Sequence, residues 1–168
     1  MSAIDATILI PTHDHAALLP TAIASALAQR SASFEIFVVG DGVGDDTRQV
    51  MTQYAADPRV RFFDFPKGER HGERHRHVAL QEARGAIVCY LSDDDVLMPE
   101  HVAEMRHLLA DVDFAHSTPV IVGPDGILVH RPADLARPEF LALISEGRNN
   151  FIGLTGRGAH TRPLRPAP

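Results

Sequence analysis

The stretch GAIVCYLSDDDVLMPE (residues 85–100) sets three carboxylates in a row, Asp93, Asp94 and Asp95, directly after an apolar run. The run from Ala86 to Leu91 has the length and composition of a buried β-strand. Adjacent carboxylates repel one another unless something positive stands between them. A divalent cation removes that conflict. Mg²⁺ and Mn²⁺ take oxygen ligands, and Mg²⁺ commonly pairs one or two carboxylates with substrate phosphates. The plain alternative is a solvated acidic turn that caps the helix starting near Pro99, because aspartate suits a helix N-terminus. The position of the three residues at the end of a buried strand favours a metal–phosphate site.

Working outward, the same strand-then-helix pattern recurs. Residues 6–11 (ATILIP) read as a buried strand and 15–32 as a helix with Pro20 in its first turn or at a kink. Residues 34–39 (FEIFVV) form a second strand, 40–46 (GDGVGDD) a loop and 46–56 a second helix. A third strand, 59–65, leads into a polar loop at 66–75 and a helix at 76–84, with Gly85 in the position of a C-cap. After the fourth strand at 86–91, a helix is expected at 99–110 with Pro99 at its first position. Two further strands, 113–122 and 127–131, flank a GPDG turn. Four alternations of strand and helix predict an α/β fold with a mainly parallel sheet and helices on both faces. Residues 1–160 are expected to form one domain and 161–168 a loose tail.

Composition limits the function. The chain has 168 residues, 45% hydrophobic and 23% charged, with a formal charge of −6. That balance argues against nucleic acid as the main partner. The single cysteine, Cys89, sits in the apolar run and reads as a core residue in a reducing compartment. No stretch approaches 18 continuous apolar residues, so no transmembrane segment is expected. The expectation is a cytoplasmic protein, with peripheral association at the membrane face left open.

In parallel sheets ligands bind at the C-terminal strand ends. Three polar loops follow strands here: PTHDH (11–15), GDGVGDD (40–46) and SDDD (92–95). Asp41 could accept a hydrogen bond from a base N–H or a ribose hydroxyl, or Asp45 or Asp46 could simply cap the next helix. The glycines match neither a phosphate-loop nor a dinucleotide spacing. In ERHGERHRH (69–77), His71 and His75 are four apart, a spacing that can hold zinc on a helix. A mixed Arg and His loop, with Arg70 or Arg76 facing an anion, is the favoured reading. No G-x-S-x-G elbow supports a serine hydrolase.

Together these segments resemble the family 2 glycosyltransferases of the GT-A fold. ILIPTHDH corresponds to that family's strand followed by Pro-Thr-Tyr-Asn, with His13 and Asp14 in place of the last two. VVGDGVGDD corresponds to Val-Asp-Asp-Gly-Ser, with Gly40 for the first aspartate and Asp41 for the second. HRHVALQEARG places Arg76 on the arginine of an Ala-Arg-Asn helix. LSDDDVLMP corresponds to Leu-Asp-x-Asp-Asp with its following proline, and it keeps Asp94 and Asp95 while Ser92 replaces the first aspartate. The resemblance covers about residues 5–162.

The resemblance implies a Rossmann-like three-layer α/β/α domain that binds a nucleotide-diphosphate sugar. Asp41 would bind the base, with Pro11, Thr12 and His13 as the wall beside it. Arg70 or Arg76 would lie near the base or phosphates, and Asp93 near the ribose. Asp94, with Asp95 close by, would ligate Mn²⁺ or Mg²⁺ against the diphosphate. A UDP-sugar is the donor the resemblance favours, with GDP and dTDP as the other nucleotides, and the acceptor, a glycan, lipid or protein, is unspecified. It also implies inversion by a carboxylate general base beyond the segment that AHTR (159–162) resembles. No Asp or Glu follows Glu146. The expectation is therefore an intact donor half with an incomplete acceptor half, and donor binding without transfer is the alternative function. A nucleotidyltransferase would want a glycine-rich, basic loop after the first strand, which PTHDHAALLP lacks.

Overall fold

The computed structural model describes residues 4–129, 134–146 and 154–161. Its centre is a six-stranded sheet in the order β3-β2-β1-β4-β8-β5. Strands β1 (Ile4–Thr12), β2 (Phe34–Asp41), β3 (Val60–Phe65) and β4 (Gly85–Tyr90) are parallel. Ile8 lies opposite Ile36 on one side and Cys89 on the other, which sets the register of the three central strands. Strand β8 (Arg157–His160) runs antiparallel between β4 and β5 (Phe114–His116). A separate hairpin joins β6 (Val120–Gly123) to β7 (Gly126–Val129) across Pro124 and Asp125, the expected GPDG turn.

Alternation along the strands builds a core on each face of the sheet. Ala6, Ile8, Ile10, Ile36, Val38, Ile87 and Cys89 point to the larger one, where α1 (Leu19–Leu27), α2 (Asp45–Thr52) and α4 (His101–Leu108) supply Leu19, Ile23, Met51, Val102 and Met105. Leu9, Phe37, Val39 and Val88 point the other way, against Ala79 and Leu80 of α3 (Glu73–Leu80). The expected three-layer arrangement is present. Burial drives the Cys89 thiol up to about 12, so it is an inert core residue.

Several element boundaries differ from expectation for identifiable reasons. Helix α1 starts at Leu19 rather than 15, because Pro20 has no N–H and fits only the first turn. Residues 15–18 form their own turn, in which the His15 carbonyl accepts from Leu18 and Leu19. Helix α3 starts at Glu73, so His75 and Arg76 lie on a helix and not in a loop. Gly85 does not cap it. The helix closes at Gln81, and Gly85 opens β4 so close to β1 that a Cβ there would lie 2.2 Å from the Thr7 nitrogen. Helix α4 starts at His101, two residues beyond Pro99. The expected strand 113–122 is broken before Pro119, leaving β5 in the main sheet and β6 in the hairpin. Helix α5 (Pro138–Ser145) was not anticipated. The expected tail, apart from Thr161, and the expected strand positions 130–131 fall outside the described residues. No helix among the described residues is long and apolar enough to cross a membrane.

A buried polar network locks the N-terminal ends of β1 and β2 to β4. Glu35 is 1% exposed. It accepts the Thr7 hydroxyl (2.9 Å), the Arg84 backbone N–H (2.7 Å) and the Arg84 guanidinium (2.8 Å). Thr7 in turn accepts the Gly85 N–H at 3.2 Å. Burial pulls the Glu35 carboxyl upward, but the Arg84 and Thr7 hydrogen bonds outweigh it and leave the group below its ordinary value.

Two outcomes follow from this edge. Gly85→Ala is expected to cost about 3 kcal/mol, because the new methyl meets backbone and not a movable side chain; the urea unfolding midpoint measures it. Glu35→Gln is expected to cost about 2 kcal/mol at neutral pH. The Glu35 folded pKa is depressed, so its stabilisation is fully present above its ordinary value of 4.5 and fades as pH falls through the folded pKa. The stability gap between wild type and Glu35→Gln should therefore narrow on acidification, and a gap that stays constant would contradict the network.

Candidate functional site

The strand order reverses between β1 and β4. One crossover from β1 leads outward to β2 and β3, and the next returns past β1 to β4. The crevice outside such a reversal is where open α/β sheets bind ligands. The loop after β1 and the loop after β4 meet there. His15 Nδ1 lies 2.8 Å from Asp93 Oδ1, joining residues 78 apart in the chain. The hydrogen bond and negative charge of Asp93, with Asp94 and Asp14 adding, raise the His15 pKa above its ordinary value.

The three aspartates have different surroundings. Asp93 is buried at 6% exposure, and His15 is its side-chain partner. Asp94 is exposed, and its Oδ1 accepts the Ser92 hydroxyl at 2.5 Å. Asp95 turns away to accept the Thr155 hydroxyl at 2.5 Å, and that same hydroxyl oxygen accepts the Ser92 N–H at 2.8 Å. One ligand atom each from His15, Asp93 and Asp94 lies within 4.8 Å of the others. Among the described residues this is the group whose spacing fits a metal ion, and Asp95 is outside it.

Asp41, at the end of β2, is 6% exposed and held by the segment that follows β3. Its Oδ1 accepts the Gly68 N–H at 2.6 Å, and its Oδ2 pairs with Lys67 Nζ at 3.1 Å. His75 Nε2 is 3.6 Å from the carboxylate and 2.8 Å from the Pro66 carbonyl, and its ring stacks on Phe65 at 4.6 Å. Burial pushes the Asp41 carboxyl up, but Gly68, Lys67 and His75 bring it below the ordinary range. Gly72 has φ of +69°, and a Cβ on it would lie 2.9 Å from Asp41 Cγ. The chain can wrap this carboxylate only with a glycine at that point.

The other expected residues are distributed around the same edge. Pro11 and Thr12 close β1, with Thr12 opposite Gly40. Thr12 Oγ1 and His13 Nδ1 are buried and have no protein hydrogen-bond partner, while His13 Nε2 lies 3.1 Å from Asp14. Arg70 sits on a 3₁₀ turn (Arg70–Gly72) with φ of +49°. Arg76, on α3, donates to the His71 carbonyl, and its charge also acts on Tyr90 at the end of β4. The zinc spacing in 69–77 is not realised. His71 has φ of +53° and precedes α3, so it shares no helical face with His75.

Sequence reasoning missed four contributors. His15 was read only as the end of the PTHDH loop and the start of the expected helix, with no role of its own, and Lys67 and Gly68 carried no motif. Arg157 acts on Tyr90 from β8, a strand that was not anticipated; burial holds its pKa below the ordinary value, opposed only in part by Tyr90. The one sequence signal was the placement of His15 in a polar loop directly after a buried strand. A groove lined by Arg48, Met51, Tyr54, Phe62 and Asp64 lies apart from this site, between α2 and the edge strand β3.

Comparison with known proteins agrees with the geometry. The family model described as Glycosyl transferase family 2 matches residues 7–162. The chain is 30% identical over 152 residues to the succinoglycan biosynthesis protein ExoO of Rhizobium meliloti, covering 88% of this chain and 43% of that protein. It is 30% identical over 111 residues to a Campylobacter jejuni GalNAc(5)-diNAcBac-PP-undecaprenol beta-1,3-glucosyltransferase, covering 66% of this chain and 36% of that protein. Among solved structures, Staphylococcus aureus TarS 1–349 in complex with UDP-GlcNAc superposes with a TM-score of 0.59 at 21% identity, covering 66% of this chain and 33% of that one. The mannosyltransferase PcManGT of Pyrobaculum calidifontis, in complex with GDP-Man and Mn²⁺, gives 0.57 at 23% identity, covering 67% and 35%. The chain spans less than half the length of each of these relatives. With its α/β sheet in the GT-A arrangement and a family match over nearly its whole length, the chain belongs to glycosyl transferase family 2.

Proposed function

We propose that this chain binds a nucleotide-diphosphate sugar together with Mn²⁺ or Mg²⁺ at the ends of β1, β2 and β4, as the donor half of a glycosyltransferase. The observation that carries this reading is the meeting of His15 with Asp93 and Asp94 at the strand-order reversal. A buried carboxylate beside a second, exposed one suits a cation that in turn binds phosphate oxygens. When bound, the metal offsets negative charge on the departing nucleoside diphosphate.

The chain's own residues then divide the work. Asp94 holds the metal, with Asp93 beside it and near the ribose. Thr12 and His13 offer the base two buried polar atoms that no protein group satisfies. Asp41 already accepts from Gly68 and Lys67, yet a carboxylate has about four lone-pair positions and can take a base N–H as well. Arg76 and Arg157, both close enough to act on Tyr90, put positive charge at the mouth of the crevice, where the diphosphate would lie. Asp95 orders the aspartate loop through Thr155. Relatives bound to UDP-GlcNAc and to GDP-Man support a nucleotide-sugar donor and leave two nucleotides to compare. UDP is the nucleotide this reading favours.

Calorimetric titration with UDP, GDP and dTDP, with and without Mn²⁺, tests the reading. Manganese-dependent binding of one nucleotide is expected. Asp94→Ala should weaken it by about tenfold or more. Binding indifferent to both Mn²⁺ and Asp94 would contradict the assignment.

A further inference from the structure

Resting on the donor-site reading above, we propose that His15 is a third protein ligand of the metal and biases the site toward transition-series cations such as Mn²⁺ and Co²⁺ over Mg²⁺. Ligand atoms neighbouring one another on an octahedral ion with bonds of about 2.1 Å stand about 3 Å apart. His15 Nδ1 and Asp93 Oδ1 are 2.8 Å apart, so an ion can be shared between them with little rearrangement. Asp94 brings its ligand atom within 4.8 Å of both.

The local chain explains why the histidine is available. The turn that starts at His15 is fixed by its carbonyl, which accepts from Leu18 and Leu19 and fastens it to the start of α1. The imidazole is thereby aimed across the crevice at the β4 loop, with its side chain half exposed and Asp93 beneath it almost fully buried. Protein covers one side of the group, and the other side is open to water and phosphate oxygens. That division matches a cation which keeps positions for substrate. The chemistry of the set decides the preference. Carboxylate oxygens alone suit Mg²⁺ and Mn²⁺ alike, whereas an imidazole nitrogen favours first-row transition ions, and Mg²⁺ prefers oxygen.

Pulsed electron paramagnetic resonance of Mn²⁺ bound to the chain with UDP tests this directly. A nitrogen coupling from one imidazole is expected in the wild type and in His107→Gln, an exposed position on α4, and it should vanish in His15→Gln. In parallel titrations, His15→Gln should lower Mn²⁺ and Co²⁺ affinity about tenfold and Mg²⁺ affinity less than about threefold. Two results would overturn the assignment while leaving the donor site standing. One is Mn²⁺ bound without nitrogen coupling but lost in Asp94→Asn, and the other is unchanged Mn²⁺ affinity in His15→Gln. A wild-type chain that binds UDP but no metal at all would overturn both the ligand assignment and the metal-dependent reading beneath it.

Discussion

The parallel pairing of β1 with β4 is the constraint on which the rest of the structure depends. It joins the fourth strand to the first, on the side away from β2, and so reverses the order of the sheet. The pairing needs close backbone approach at one end, which Gly85 permits against Thr7, and a satisfied polar network there, which Glu35 supplies. At the opposite end the same pairing carries two loops to a common crevice. The N-terminal edge therefore serves stability, and the C-terminal edge carries the proposed site.

At the chemical edge the conflict posed by three adjacent aspartates is resolved by giving each a different partner. Asp93 is buried against His15, Asp94 stays exposed beside Ser92, and Asp95 is drawn to Thr155. The first two, with His15, bring ligand atoms within 4.8 Å of one another. Asp41 is managed differently. A loop rich in glycine closes on it so tightly that the carboxylate is both buried and charged, held by a backbone N–H and a lysine. Asp93 and Asp41 are thereby given hydrogen-bond partners at low exposure, where an unpaired carboxylate costs considerable free energy.

The parts of this architecture that were legible in the sequence are those set by local pattern. Strands β1, β2 and β4 are runs of apolar, largely β-branched residues, and Pro20 and the GPDG turn act through their own backbone chemistry. What was not legible depends on partners distant in the chain. His15 and Asp93 are 78 residues apart, and nothing in PTHDH alone announces their contact. Strand β8 reads Arg-Gly-Ala-His, with no strand propensity of its own; pairing with β4 and β5 makes it a strand. Met105 and Leu109 pack closely on its Gly158, where a Cβ would stand 3.1 Å from Leu109 Cδ1. Gly85 misled for a related reason. A glycine after a helix usually serves the helix, but this one serves the strand that follows.

The central claim is that the crevice between β1 and β4, with the Asp41 loop, receives the nucleotide. The most direct test is amide chemical-shift mapping of the chain on titration with UDP and diamagnetic Mg²⁺. The account predicts perturbations at residues 11–15, 41–44, 66–76 and 92–95. Perturbations centred on the groove of Met51, Tyr54 and Phe62 between α2 and β3, with the four segments silent, would contradict it.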